Sequence, residues 1–429
     1  MASATRPDIL LVICHDLGRH LGCYGAGVQT PHLDRLASEG LCCTQAFCTT
    51  PLCSPSRGSL QTGLYPHVSG LMGLVNRGWN LPEGQRTLPE WLRDAGYHSW
   101  LFGLQHERRR REAMGYDTLV GDGAAHAEQV LPHLEAFLRQ PPPGPYLAVV
   151  GLLEAHRPFA TPPYTPDDPT AVRVPAYLPD RPEVRRDLAE LQGLVHAVDG
   201  FVDRMLAALE AGGRADDTLI VFTADHGIAF PRAKSTLYDS GLGTALLLRW
   251  PARCPAGRGS DALISNVDLL PTLAEAAGLP PPPGIDGQSF LPLVRGERWA
   301  GREAIFAEKN YHDAYDPMRA IRTARHKLIR RFGEGPDLVL PRDIAASLSA
   351  RAPEIAEATR RPRRPLELYD LAVDPWERQD RADDPVLAGV RAELVARLER
   401  WMEQTRDPLL RGRVPAPPGS ADAAETDET

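Results

Sequence analysis

The sequence has no apolar run approaching the roughly 20 residues that a membrane-spanning helix needs. Its first apolar stretch, Ile9 to Cys14, follows Asp8 and is too short for the core of a secretory signal. A basic excess is also missing: 48 Lys and Arg stand against 56 Asp and Glu, a formal charge of −8. Nucleic-acid binders show the opposite balance, so nucleic acid is excluded as a partner. An anionic substrate would have to be drawn by local basic groups, because the surface as a whole repels it. Regular cysteine spacing is absent too. Cys14, Cys23, Cys42, Cys43, Cys48 and Cys53 crowd the first 53 residues and Cys254 stands alone. An odd, irregular set is no disulfide framework. It predicts reduced thiols and a cytoplasmic protein with no membrane association.

What is present is an alternation. "DILLVIC" reads as a strand buried on both faces, "TPHLDRLASEG" as a helix opened by Thr30-Pro31 and closed by Gly40. "RTLPEWLRDAGYHSWLFG" repeats helix then strand, and "YLAVVGLLEAH", "DTLIVFTADHG" and "ALLLRWP" are further buried strands. A long amphipathic helix covers "LAELQGLVHAVDGFVDRMLAALEAGG", and another "NVDLLPTLAEAAG". The predicted fold is α/β, a large, mostly parallel sheet flanked by helices, over residues 1–300. After the proline-rich "GLPPPPGIDGQSF" come shorter strands and a final helix, predicting a small α+β domain over 301–412. Residues 413–429 are too poor in apolar groups to fold and are expected to be disordered.

In open α/β sheets, ligands gather beyond the C-terminal strand ends. Those ends read Cys14-His15-Asp16, "GLQHE" with His106, "EAHRPF" with His156, and Asp225-His226. A single such histidine is more often a core residue bonded to backbone. Four polar ends after four apolar strands point to one site. Asp16, Asp225 and His226 have the makeup of ligands for one divalent cation. Oxygen donors favour calcium, magnesium or manganese, and the imidazole shifts the balance toward manganese or zinc. Cys53 stands at the start of "CSPSRGSLQTG", where Pro55 marks a first helical turn. A thiol there lies at the positive end of a helix, where anions are favoured.

The frame "CSPSRGSLQTG" resembles the signature of the sulfatases. The resemblance spans almost the whole chain: "TPHLDRLASEG", "GLYPHVSG", "DTLIVFTADHG", "AKSTLYDSG", "DLLPTL" and "ELYDLAVDPWE" follow in the family's order. It implies an alkaline-phosphatase-like fold and oxidation of Cys53 to formylglycine by a dedicated maturation enzyme. The hydrate of that aldehyde would be the nucleophile, and one divalent metal its activator. By the same resemblance Cys53 also contacts the metal, Arg57 holds the hydrate, His106 assists its free hydroxyl, and His156 and Lys234 bind sulfate oxygens or protonate the leaving group.

Two positions depart from the family pattern. Paired acids after the first strand are replaced by His15-Asp16, which leaves His15 either a metal ligand or a neighbour of the ligands. The lysine expected two residues before His106 is Leu104. Phosphonate monoester hydrolases, relatives that use the same formylglycine, tolerate a reduced acid set and are the alternative reading. A third reading is a sulfatase-like binding protein with a dead site. Among sulfatases, "LMGL", "YDPMRAIRTARHKLIRRF" and "ELYDLAVDPWERQDRADDP" resemble the sulfamidase branch, which removes N-linked sulfate from glucosamine. The implied substrate is a small sulfated saccharide. Glu308, His312 and Arg319 of the small domain are candidates to hold it, arginine being suited to bidentate anion recognition.

Overall fold

The computed structural model describes residues 6–123, 125–160 and 163–420. Fourteen strands are formed among them: β1 (Asp8–Cys14), β2 (Leu41–Cys43), β3 (Ala46–Phe47), β4 (His98–Gly103), β5 (Thr118–Val120), β6 (Tyr146–Leu152), β7 (Thr218–Ala224), β8 (Leu246–Arg249), β9 (Arg258–Ser260), β10 (Ile264–Ser265), β11 (Ala304–Tyr311), β12 (Tyr315–Thr323), β13 (His326–Arg331) and β14 (Leu366–Asp370). The large sheet has eight strands in the order β5-β4-β6-β1-β7-β8-β2-β9. Only β8 runs against the others. The large, mostly parallel sheet expected from the sequence is therefore present. What the sequence reading missed are β2, β5 and β9, three residues each, too short to carry a periodic signal.

β1 explains the sandwich. All seven of its residues are buried. Leu10 and Val12 enter one core with Val195, Val198 and Val202 of the helix Pro182–Ala211. Ile9, Leu11 and Ile13 enter a second core with Leu269, Leu270 and Leu273 of the helix Leu269–Ala276. A continuous apolar run is what a strand covered by helices on both faces requires.

The small sheet is antiparallel, in the order β11-β12-β13-β14. Leu394, Leu398, Trp401 and Met402 of the helix Ala388–Gln404 close one face over Ile321, Leu328 and Leu368. Arg319, expected as a saccharide contact, is instead fully buried in this domain. Its Nε donates to Asp407 Oδ2 at 2.5 Å and its Nη2 to Asp407 Oδ1 at 2.8 Å, with a further bond to Asn310. A fork occupied in this way has no donors left for a ligand. The segment expected to be disordered from 413 is laid down as far as 420. Tyr311 Oη donates to the Val414 carbonyl at 2.7 Å, the Val414 N–H donates to Tyr315 Oη, and Val414 packs among Leu71, Trp79 and Leu81. Composition alone could not reveal two tyrosines capturing the backbone of one residue. Residues 421–429 lie outside the described set.

Because Arg319 would be left buried and unpaired, Asp407→Ala should destabilise the fold by about 3–5 kcal/mol. Urea unfolding followed by circular dichroism measures this, and a loss under 1 kcal/mol would contradict the assignment.

Candidate active site

β1 and β7 are parallel neighbours in a register that sets Cys14 beside Ala224. The residues that follow both strands therefore arrive together. Asp16 takes a left-handed backbone, φ 48°, and its N–H donates to Asp225 Oδ1 at 2.9 Å. The His226 N–H donates to the same oxygen at 2.9 Å. A non-glycine residue held at positive φ is the kind of local strain that functional sites retain.

The helix Cys53–Thr62 has all ten residues buried and ends at Gly63, whose φ of 69° closes the last turn onto the Ser59 carbonyl. Its start brings Cys53 Sγ to 3.2 Å from His226 Nε2 and 3.8 Å from Asp16 Oδ1. One turn on, Arg57 Nε donates to Asp225 Oδ2 at 3.0 Å, and Ser56 Oγ donates to the Asp225 carbonyl. Ligand atoms of His15, Asp16, Cys53, Asp225 and His226 all lie within 4.8 Å of one another, and all five residues are buried.

The remaining expected groups surround this cluster. Lys234 Nζ lies 2.7 Å from Asp16 Oδ2 and 2.9 Å from Asp343 Oδ2. His156 stands edge-on to His15 with ring centroids 4.9 Å apart, its Nε2 4.0 Å from Asp16 Oδ2. The His106 ring is 6.1 Å from that of His15, and its buried Nδ1 has no hydrogen-bond partner. His15 Nδ1 is 2.9 Å from Asp16 Oδ1 and 3.4 Å from Asp225 Oδ2.

The charges are strongly interdependent. Burial alone would raise the Cys53 thiol, but His15 and Lys234 outweigh it and hold the thiol well below its ordinary range. Burial would likewise raise Asp16, yet Lys234, His226 and His15 keep it well below the usual carboxylate range. For His15, burial favours the neutral ring, while the charges of Cys53, Asp225 and Asp16 push it up to about 9. His226 is raised in the same way, by Asp225 and Cys53 against the pull of burial. Imidazoles so strongly invited to protonate mark a hollow built for positive charge. Two carboxylates, two imidazoles and a sulfur converging on one point fit a divalent cation. A metal bound among them would supply the positive charge that these groups favour.

Of the three small-domain candidates, only His312 approaches this centre. It is buried close enough to feel the charges of Lys234 and Cys53, its Nδ1 is 3.3 Å from Asp313 Oδ2, and its Nε2 has no partner. Glu308 is instead closed in an ion pair with His67, beneath Trp401. Sequence reasoning missed Asp343, Asp313, Arg77 and His67. None of them follows a strand of the large sheet, so no positional signal marked them.

A buried hollow at the C-terminal ends of a mostly parallel sheet, with a helix-start cysteine and a donor set that fits a cation, has the makeup of a hydrolase of charged esters. The comparisons specify the class. The sulfatase family model matches residues 7–279, and the model of the N-sulphoglucosamine sulphohydrolase C-terminal region matches residues 226–339. The chain belongs to the sulfatase family, hydrolases of sulfuric esters and sulfamates. It is 29% identical to an ulvan-active sulfatase of Formosa agariphila, over 94% of this chain and 76% of that protein. It is also 29% identical to the human N-sulphoglucosamine sulphohydrolase, over 94% of this chain and 91% of the relative. A solved structure in complex with its substrate D-glucosamine-2-N,6-O-disulfate shares the fold, with a TM-score of 0.74 at 20% identity over 94% of this chain and 99% of that one. No helix among the described residues is long and apolar enough to cross a membrane.

Removing either carboxylate of the hollow should remove the ion. Asp16→Ala and Asp225→Ala are expected to retain less than a tenth of the bound metal, read by elemental analysis after dialysis, and His226→Ala to bind it more weakly. Chelation of the parent protein should abolish turnover and re-addition should restore it. Full metal content in both aspartate variants would mean the ion sits elsewhere.

Proposed function

We propose that this chain is a formylglycine sulfatase of the sulfamidase type, releasing sulfate from a small N-sulfated saccharide. The observation that carries the reading is the convergence on Cys53: a metal-ligand set, Arg57, Lys234 and three histidines surround the one cysteine in the family's maturation frame. Formylglycine formed from Cys53 by a maturation enzyme would supply an oxygen nucleophile and a route for expelling the sulfate, with Asp16, Asp225, His226 and His15 holding the metal that activates it.

The chain's own side chains supply the rest. Arg57, locked to Asp225, fixes the start of the helix and places a positive charge against the residue-53 side chain. Lys234 meets the sulfate oxygens with its ammonium. His156, partly open to solvent and 4.0 Å from Asp16 Oδ2, is placed to relay a proton to the departing group. His106, with its free Nδ1 beside His15, is the group that would accept a proton during sulfate release. Stabilising the sulfate charge in a dry, prearranged cage is the largest contribution such a site makes.

The preference for an N-linked sulfate is supported by two findings: the sulphohydrolase-type region at 226–339, and a relative of that activity matched over nearly its full length. The ulvan-active relative of equal identity keeps O-sulfated sugars in the test panel. Seven unpaired cysteines agree with a reducing, cytoplasmic setting, where imported mono- or disaccharides are the available substrates.

A panel of N-sulfoglucosamine, glucosamine 6-O-sulfate, an aryl sulfate and a phenyl phosphonate ester tests the reading. N-sulfoglucosamine should be turned over at least tenfold more efficiently than the others. A preference for the O-sulfate would sink the sulfamidase subtype, and a preference for the phosphonate would move the chain to the phosphonate hydrolases. Cys53→Ala should lose more than a thousandfold in kcat. Mass spectrometry of active protein should find the aldehyde mass at residue 53, and an unmodified thiol throughout would refute the nucleophile.

A further inference from the structure

The ammonium of Lys234 is held by two carboxylates, and the second has no part in the sulfatase chemistry described above. Asp343 begins no strand and ends none. It lies in the four-residue helix Arg342–Ala345, inside the long connection between β13 and β14 of the small domain. Its Oδ2 is 2.9 Å from Lys234 Nζ. Its carboxylate, that of Asp16 and the imidazole of His156 offer atoms within 4.8 Å of one another. Asp16 has no exposed surface, but 22% of the Asp343 side chain faces solvent. Asp343 therefore stands at the mouth of the site, on the side of the group that protonates the leaving atom.

Its position is secured at both ends. Upstream, the Arg342 N–H donates to Asp313 Oδ2 at 2.6 Å, and Asp313 is itself paired with Arg77 of the large domain. Downstream, the Ser349 N–H donates to Asp187 Oδ2 at 3.1 Å. Asp187 grips Arg157, the neighbour of His156, at 2.8 and 2.6 Å. Between the two anchors, Ile344 is fully buried in the main core. A carboxylate fixed so firmly beside an anion site is unfavourable for any substrate that presents only acceptors there. It repels the sulfate oxygens and draws off part of the charge of Lys234.

We propose that Asp343 is the specificity-determining residue for the atom that bridges sulfur to the sugar, accepting a hydrogen bond from the N–H of a sulfamate and pairing with the ammonium of the released amine. The proposal rests on the sulfamidase reading and sharpens it to one contact. A sulfamate differs from a sulfate ester at that bridging atom: nitrogen carries a hydrogen and oxygen does not. The products differ more, since an amine is cationic near neutral pH and a hydroxyl is not. Only the nitrogen substrate converts Asp343 from a repulsive neighbour into a partner.

The test is Asp343→Asn, which keeps shape and removes charge, with Asp343→Ala beside it. Hydrogen bonds to a charged group carry about a ten- to hundredfold effect. The ratio of kcat/KM for N-sulfoglucosamine to that for an aryl sulfate should fall at least tenfold in both variants, with melting temperatures unchanged. An equal loss on both substrates would reduce Asp343 to a holder of Lys234 and overturn the proposal. A second arm measures competitive inhibition of aryl sulfate hydrolysis by glucosamine and by N-acetylglucosamine. The parent enzyme should prefer glucosamine at least tenfold, and Asp343→Asn should lose that preference. This arm is decisive even if the enzyme hydrolyses only O-sulfates, which would refute the sulfamidase reading by itself. No preference in the parent enzyme would refute the role of Asp343.

Discussion

Asp16 and Asp225 lie side by side with no exposed surface, and this pair of buried negative charges governs the rest of the site. Taking one such ion out of water costs several kcal/mol, and two adjacent ones add mutual repulsion. The fold compensates with donors that approach from every element nearby. Two backbone N–H groups point at Asp225, Arg57 comes from the helix after β3, Lys234 from the loop after β7, and His15 and His226 from the strand ends themselves. The same donor set fits a divalent ion, which would complete the neutralisation. The adjacency of β1 and β7 is the precondition for all of it, because a one-residue slip would turn one of the aspartates into the core.

The same logic joins the two domains. Lys327 of β13 and Arg322 of β12 reach Asp239, whose N–H donates to Glu377, His67 of the large domain closes on Glu308 of β11, and Arg77 on Asp313. These contacts are largely buried, so each would leave a costly orphan if its partner moved away. The small domain is thereby fixed rather than loosely tethered, and His312 and Asp343 can act as walls of the site.

How much of this was legible in the sequence follows from where each residue sits. Cys14-His15-Asp16 and Asp225-His226 stood out because an apolar run ending abruptly in acids and imidazoles has few other uses. Cys53 and Arg57 stood out through spacing, since both must project from one short helix. Glu308 and Arg319 were misjudged because a charged residue in a strand is ordinarily solvated and free to meet a ligand. Here they face each other across β11 and β12, but each is claimed by a more distant partner: Arg319 by Asp407, 88 residues on, and Glu308 by His67. Asp343 was invisible for the opposite reason. It has no periodic neighbours, and its meaning comes wholly from what Asp313 and Asp187 hold in place.

The two departures from the family pattern belong together. Replacing an acid by His15 removes one negative charge from the hollow, and placing Leu104 where a lysine is expected removes one positive charge. A neutral His15 still offers a lone pair to a metal, and His106, two residues beyond Leu104, stands within ring contact of it. With an ion bound and His15 neutral, the net charge offered to an incoming anion would match that of the family's acid and lysine together. A dead site would have no reason to keep Arg57, Lys234 and His226 closed around Asp16, Asp225 and Cys53, and here all of them are in place.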